Sequence, residues 1–129
     1  MSSESVVQQR AMLYMARIGG HAWRNNVGAC TDDTGRLIRY GLANTSASMN
    51  KEIKSSDVIG LTPVLIQPHH VGKTLGVFTA LECKPSNWKW LPSDKRAPAQ
   101  AKFHEIVKNA GGFAGFVLCD EHIPGIIGI

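Results

Sequence analysis

Two charged side chains stand two residues apart in an apolar stretch of the sequence, Leu75–Lys84. Successive side chains of a strand point to opposite faces, so Glu82 and Lys84 are predicted to project together while Leu81 and Cys83 point the other way. A carboxylate and an ammonium group would then lie side by side. Such a pair suits phosphodiester hydrolysis, because a carboxylate can hold a divalent cation while a lysine orients water or neutralises developing charge.

A further carboxylate, Asp57, opens a second apolar stretch, Asp57–Gln67. The residues between the two stretches, Pro68–Lys73, have the composition of a hairpin connection. If the hairpin turns near His70, Asp57 lies across from the neighbourhood of Lys84. Three polar groups are then expected to converge at one end of a mostly apolar hairpin.

Converging carboxylates point to a metal ion, because two of them repel each other unless a cation lies between them. Carboxylates with water are the ligands that Mg²⁺ prefers, and a bound ion would polarise a scissile phosphate and lower the pKa of a bound water. The sequence therefore favours a hydrolytic site built from Asp57, Glu82 and Lys84. A hairpin salt bridge between Asp57 and Lys84, with Glu82 merely solvated, is the structural alternative, since acid-x-lysine triplets are common.

The first helix is predicted from about Ser3 to Ile18, where Gly19-Gly20 ends it. The apolar residues that recur at helical spacing are Val7, Ala11, Tyr14 and Ile18. Glu4 lies three residues before Val7, so it shares the inward face of the helix, at the end where the dipole favours a carboxylate. A surface glutamate is the alternative.

The second helix is predicted from Pro98, a residue suited to the first helical position, to Ala110, where a glycine pair ends it. Gln100 shares a face with Phe103 and Val107, so it points inward. A buried glutamine needs hydrogen-bond partners. Near an active site it could hold the nucleophilic water, a phosphate or a catalytic lysine; otherwise it bonds to a backbone group of the sheet.

The rest of the chain is predicted as short extended segments joined by polar connections. Strands are expected at His21–Val27, Leu37–Gly41 and Phe113–Cys119, a turn at Thr31–Gly35, a loop at Asn44–Ser56 and an apolar tail at Ile123–Ile129.

Five stretches follow one another along the chain: Gly20–Ala29 (GHAWRNNVGA), Ser55–Gly60 (SSDVIG), Leu81–Lys84 (LECK), Gln100, and Gly111–Gly115 (GGFAG). Together they closely resemble the virus-type replication-repair nuclease (VRR-NUC) domain over nearly the whole chain. That family belongs to the PD-(D/E)XK nucleases, so the resemblance implies an α/β core with a mixed sheet flanked by helices, and Mg²⁺ or Mn²⁺ as cofactor. Stand-alone members occur largely in phages and bacteria, and the resemblance implies a structure-selective endonuclease on branched DNA such as Holliday junctions.

The resemblance also implies roles for single residues. Asp57 and Glu82 match the metal ligands, Lys84 the catalytic lysine, and Gln100 the polar residue of the following helix. Glu4 matches the acid of the family's first helix, and would be a further metal ligand.

Two departures from the family leave the substrate open. The segment between Asp57 and Glu82 is longer than in many relatives, and the loop Pro85–Pro98 is unusually rich in tryptophan and lysine. Trp88 and Trp90 flank a lysine there, as in surfaces that stack unpaired bases, although tryptophans that anchor a long loop to the core are an equal interpretation. A restriction-like nuclease acting on linear DNA stays an alternative.

Candidate DNA contacts follow Trp23 on a short predicted strand, where apolar residues would be expected if both faces were buried. Arg24, Asn25 and Asn26 are predicted to contact phosphates or to support the site, with a polar edge strand as the alternative, and Lys102 is a further candidate. A third class of function uses the same basic residues without catalysis. In that non-catalytic DNA-binding module the contacts would be Arg24, Lys95, Arg96 and Lys102.

The composition supports one globular domain of residues 1–129, with 43% hydrophobic and 19% charged residues. The formal charge of +4 suits a polyanionic partner without requiring one. No apolar run approaches the length of a membrane span and the first residues lack a secretory pattern, so a cytoplasmic protein with no membrane partner is expected, in the bacterial host if a phage encodes it.

The three cysteines are widely spaced and form no CxxC pair, which argues against a disulfide framework or a zinc site and predicts reduced, mostly buried thiols. A homodimer is also expected, because one domain offers one site while symmetric resolution of a four-way junction needs two cuts. The apolar tail could cross the dimer axis or fold back on its own core, and a sheet edge or the first helix could also form the interface.

Overall fold

A computed structural model of the chain describes residues 3–128, in which short strands alternate with helices. The chain divides into two compact units, Met1–Gly60 and Leu61–Ile129. The described residues form three two-stranded sheets and four α-helices, so the predicted mixed α/β class is confirmed. None of these helices has the length and apolar character that crossing a bilayer would require.

The first unit begins with helix α1 (Glu4–Arg17), as the sequence predicts. The Ser3 hydroxyl caps it by accepting a hydrogen bond from the backbone of Val6 at 3.3 Å. Gly19 ends it with a φ of 85°, which lets the Gly20 backbone N–H donate to the Met15 carbonyl at 2.8 Å. This is a Schellman ending, for which a left-handed glycine is the favoured residue.

The predicted inward face of α1 is wrong. Val7, Tyr14 and Ile18 are exposed, at 54%, 58% and 49% of their surface. The residues of α1 that are half-buried are Gln8, Met12 and Met15. These residues have the helical spacing of the predicted inward face, displaced by one residue. Methionine side chains are flexible and pack as readily as branched apolar ones, so they can form the packed face.

Strands β1 (His21–Arg24), β2 (Gly28–Thr31) and β3 (Leu37–Tyr40) follow α1. The polar turn between β2 and β3 forms an antiparallel hairpin, with Thr31 opposite Leu37. The Asp32 carboxylate closes that turn by accepting from the backbone N–H groups of Thr34 and Arg36 at 2.9 and 2.8 Å. The predicted turn is therefore confirmed.

The segment predicted as a loop contains a short helix, α2 (Ala47–Glu52). The Ser46 hydroxyl accepts from the Met49 backbone N–H at 3.1 Å and so supplies its N-cap. A helix of six residues carries too little periodicity for a pattern argument to detect. The serine cap was the available signal.

The predicted hairpin between Asp57–Gln67 and Leu75–Lys84 is wrong. Strand β4 (Val58–Leu61) pairs with β1, whereas β5 (Thr79–Cys83) pairs with β6 (Phe113–Val117). Residues 62–78 between them form an irregular connection with one 3-10 turn at Pro68–His70. Prolines in that connection lack the N–H group needed for hydrogen bonds between strands. The turn-like composition therefore belongs to a long irregular connection and not to a hairpin turn.

The second unit contains a parallel β-α-β arrangement formed by β5, α3 (Arg96–Asn109) and β6. Helix α3 packs against both strands, and its Ala97 and Val107 are fully buried. Burying a side chain such as Val107 stabilises the fold by roughly 1.5–3 kcal/mol. The predicted strand after the helix is confirmed, with Ala114 and Val117 buried.

The apolar tail forms α4 (Ile123–Ile127), which packs on β6. A methyl group added at Gly115 would lie 2.9 Å from Ile126 Cδ1, so the described tail folds back on its own core. Ile129, the last residue of the predicted tail, lies outside the described residues.

The cysteines depart from prediction in one respect. Cys30, Cys83 and Cys119 are free, as expected for reduced thiols, but all three are exposed, so their predicted burial is wrong.

Candidate active site

Strand alternation directs Glu82 of β5 and Lys84, the residue directly after β5, to the face that α3 covers. Glu82 and Lys84 are half-buried, while Leu81 and Cys83 on the opposite face are exposed. Glu82 stands opposite Phe116 in the parallel ladder, and the Lys84 backbone N–H donates to the Val117 carbonyl at 2.9 Å. The prediction that Glu82 and Lys84 share a face is confirmed.

Gln100 joins these two side chains. Lys84 Nζ donates to Gln100 Oε1 at 2.8 Å, and Gln100 Nε2 donates to Glu82 Oε1 at 2.7 Å. One primary amide thereby satisfies both neighbours, since its oxygen accepts and its nitrogen donates. Of the partners considered for a buried glutamine, the structure shows the lysine, together with the glutamate.

Two aromatic rings lie beside the ammonium group of Lys84. Its Nζ lies 5.4 Å from the centre of the Trp88 ring and 5.8 Å from that of Phe116. Those two rings are stacked, with centroids 5.2 Å apart. A cation at this distance is attracted by the ring quadrupole, so the ammonium group is fixed by the rings as well as by Gln100.

His104 lies one helical turn beyond Gln100 and is buried, with 6% of its surface exposed. Its ring meets Phe116 edge-on at 4.8 Å. Burial lowers the pKa of His104 below its usual 6.5, against the opposing effect of the Glu82 charge. The imidazole is therefore held neutral beside the glutamate at neutral pH.

Asp94 ties the preceding loop to α3. Its carboxylate accepts from the backbone N–H groups of Arg96 and Ala97, both at 2.9 Å. The Ala97 N–H has the largest effect in lowering the pKa of Asp94 below its usual 3.8, with further contributions from the Arg96 N–H, the Lys84 charge and the Trp88 indole. The helix begins at Arg96, two residues before the predicted start, because Asp94 satisfies its first N–H groups.

Sequence reasoning missed Asp94 and His104. Asp94 had a usable signal, an acid just before a helical stretch. His104 shares the helical face of Gln100, four residues on, but was set aside as lacking metal-ligand partners.

In the first unit, Asp57 follows a segment that Asn25 holds in place. The Asn25 backbone N–H donates to the Asp57 carbonyl at 2.8 Å. Its side-chain nitrogen donates to Ser55 Oγ at 2.8 Å and to the Ser56 carbonyl at 2.9 Å, and its side-chain oxygen accepts from the Leu42 N–H at 3.1 Å. The side-chain amide of Asn25 is therefore engaged within the protein and holds the segment before Asp57.

The Asp57 side chain is exposed and lines a cavity of about 570 Å³. The other lining residues are Asn25, Asn26, Val27, Tyr40 and Ser55. Behind it, the buried Asn44 donates to the carbonyls of Gly28 and Tyr40 at 2.8 and 2.9 Å, which fixes the end of β3.

The remaining candidates are surface residues. Glu4 is exposed on α1, and its Oε1 accepts from Gln8 Nε2 at 3.5 Å, which matches the surface-glutamate alternative. Arg24 on β1 and Asn26 beside it are exposed, as is Lys102 on α3. These side chains are accessible to a nucleic acid.

The two predicted ligand acids, Asp57 and Glu82, lie in different units, and each by itself offers oxygen atoms that suit a hard divalent cation. Gln100 engages Oε1 of Glu82, one of its two carboxylate oxygens. Cys83 faces away from Glu82 along the strand, so no thiolate from β5 competes for the metal. Over residues 3–128, no three histidine, cysteine or acidic side chains form a ready-made metal cluster.

Comparisons of the chain with protein-family models, with curated proteins and with solved structures find no match.

Proposed function

We propose that this chain is a divalent-metal-dependent endodeoxyribonuclease of the PD-(D/E)XK type. The observation that carries the proposal is the hydrogen-bonded series Glu82–Gln100–Lys84 on one face of β5. An acid and a lysine two residues apart, both oriented by a glutamine on the next helix, are the groups that the resemblance to VRR-NUC domains calls for. The β5-α3-β6 arrangement around them is compatible with that fold.

By the resemblance to VRR-NUC domains, Glu82 and Asp57 are the proposed metal ligands, with Mg²⁺ or Mn²⁺ as the ion. A divalent ion supplies polarisation of the phosphate and a bound water of lowered pKa. The chain's own residues orient the reactants.

Lys84 is placed to stabilise negative charge. Its ammonium group has three donors, of which one is engaged by Gln100, so donors remain for a phosphate oxygen. Because the Trp88 ring and Gln100 fix its position, little reorganisation is needed as charge develops on the phosphate. His104, neutral and buried, packs edge-on against Phe116, the residue opposite Glu82 in the ladder.

The proposed substrate, by the family resemblance, is branched DNA such as a four-way junction, and the proposed assembly on that substrate is a homodimer. The proposed compartment is the cytoplasm, that of the bacterial host if a phage encodes the chain. Two copies would supply the paired cuts that a symmetric junction needs.

A non-catalytic basic binding module is the second candidate. It is favoured by one observation, the exposure of Lys95, Arg96 and Lys102 along the start of α3. Such a protein would bind DNA through phosphates with strong salt dependence but would need no metal.

Calorimetric titration with Mn²⁺ separates the two. We expect wild-type protein to show saturable heat, which Asp57→Ala and Glu82→Ala each abolish. Asp33→Ala and Glu105→Ala, which remove exposed acids from the same two units, should leave the titration unchanged. Absence of binding by the wild type, or equal loss in the control variants, would refute the metal site.

A further inference from the structure

The loop between β5 and α3 holds two tryptophans whose placement the hydrolytic site does not explain. Trp88 is half-buried beside Lys84, but Trp90 exposes 49% of its surface. A large indole is usually buried or used at a binding surface, because an indole left in water does not gain the free energy of burying its apolar surface. Trp90 therefore needs a partner or a ligand.

The Trp90 ring contacts two other aromatic rings. It meets Phe116 at 5.9 Å with the planes 88° apart, and Trp88 at 6.0 Å with the planes 64° apart. Neither ring lies parallel to it, and 49% of the Trp90 surface stays exposed. A preorganised aromatic ring with open surface binds a flat ligand at small entropic cost.

The charges around this ring favour an anionic ligand. Lys84 reaches Trp88, the neighbouring ring, and Lys89 and Lys95 are exposed in the same loop. The acid of the loop, Asp94, directs its carboxylate at the first backbone N–H groups of α3. A ligand with flat aromatic groups and a negatively charged backbone is a single-stranded nucleic acid.

We propose that Trp90 is a stacking platform for an unpaired nucleobase, with the phosphate of that nucleotide directed toward the lysines of the loop. This inference rests on the proposed nuclease function and specifies its substrate: DNA with unpaired nucleotides next to the site of cleavage. Stacking on an indole accepts any base, so the platform selects DNA structure without selecting sequence.

Photo-crosslinking tests the placement in the wild-type protein. A single-stranded oligonucleotide of about twelve nucleotides containing 5-iododeoxyuridine is irradiated with the protein in EDTA, and the adduct is located by mass spectrometry after trypsin. Lys89 separates the two tryptophans, so Trp90 falls in the tryptic peptide Trp90–Lys95 and Trp88 in the preceding one. We expect the adduct in Trp90–Lys95; its absence there, with adducts elsewhere or nowhere, would overturn the proposal.

Binding measurements test the selectivity. In EDTA, Trp90→Ala should bind an oligothymidylate roughly ten-fold more weakly, while its affinity for a blunt duplex stays within about two-fold. Trp90→Phe should recover most of the loss, and Leu91→Ala, which removes an exposed apolar neighbour without a ring, should behave as wild type. Equal losses on single strand and duplex, or a loss shared by Leu91→Ala, would contradict a stacking role.

The outcomes separate this inference from the nuclease proposal, because the binding assays contain no metal. Adducts on Trp90 without metal-dependent cleavage would leave the platform standing and remove the nuclease. Metal-dependent cleavage, together with unchanged single-strand binding in Trp90→Ala, would support the nuclease and overturn the platform. Loss of dimer mass in Trp90→Ala, measured by light scattering, would assign the ring to a second copy of the chain and also overturn the platform.

Discussion

The side-chain amide of Gln100 donates to Glu82 Oε1 across 2.7 Å, which ties the first turns of α3 to the inward face of β5. The same amide accepts from Lys84. Loss of the Gln100 amide would leave the half-buried ammonium of Lys84 and the half-buried carboxylate of Glu82 without their common partner. Leaving such groups without hydrogen bonds lowers stability.

Gln100→Leu is therefore expected to lower the free energy of unfolding by about 1–3 kcal/mol and to lower kcat by roughly a hundred-fold. Gln9→Leu, which changes an exposed glutamine on α1, should alter neither. Urea denaturation and a single-turnover cleavage assay give the two quantities. Unchanged stability in Gln100→Leu would show that the two hydrogen bonds contribute nothing.

Asn25→Ala should destabilise the first unit by about 2 kcal/mol, because three side-chain hydrogen bonds are lost, two to the segment before Asp57 and one from the Leu42 backbone N–H. Asn26→Ala, at the exposed neighbouring position, should change stability by less than about 0.5 kcal/mol. Chemical denaturation of both variants checks this. Equal, small effects would contradict a positioning role and leave phosphate contact or a polar edge strand as the interpretation of Asn25.

His104 should make the protein less stable on mild acidification. Its pKa in the folded protein lies below the usual 6.5, so the unfolded chain binds a proton first as the pH falls. The free energy of unfolding therefore decreases below pH 6.5, until His104 is also protonated in the folded state. The pH dependence of thermal unfolding between about pH 7 and 5 measures this. His104→Gln, which stays neutral, should show a shallower slope, and His69→Gln, at an exposed position, should keep the wild-type slope. Parallel slopes in all three proteins would mean that His104 is not held neutral.

How much of this site the sequence predicts depends on how local each contact is. Strand alternation was enough to put Glu82 and Lys84 on one face, and helical spacing was enough to turn Gln100 inward. The pairing of β5 with β6 joins segments more than thirty residues apart, and residue composition alone gave a local hairpin instead. Buried His104 was missed because its environment comes from Phe116 and Glu82, which only the folded chain brings to it.

The fold shows a similar division. Glycine pairs ended both long helices where predicted, since the left-handed ending is set by local sequence. The buried side of α1 was not predicted correctly, because apolar residues occur around much of that helix and the neighbouring strand selects among them.

The protein is expected to run as a homodimer, with a mass twice the 14.0 kDa of one chain in light scattering after size exclusion. A protein that lacks the residues after His122 should still be a dimer but should have a lower melting temperature, because α4 packs on β6 of its own chain. A mass near that of one chain at micromolar concentration would exclude the dimer. A truncated protein that is monomeric beside a dimeric wild type would instead make the tail the interface.

Cleavage of a labelled four-way junction in Mn²⁺, compared between wild type, Lys84→Ala and Lys73→Ala, tests the central claim most directly. Wild type and Lys73→Ala, which removes an exposed lysine from the long connection, should cut the junction and lose all activity in EDTA. Lys84→Ala should cut roughly a thousand-fold more slowly while it keeps Mn²⁺ binding and junction affinity, because its ammonium group acts mainly on the charge that develops during the reaction. Cleavage by Lys84→Ala at the wild-type rate, or no metal-dependent cleavage of junction, flap, fork or duplex by the wild type, would contradict the account.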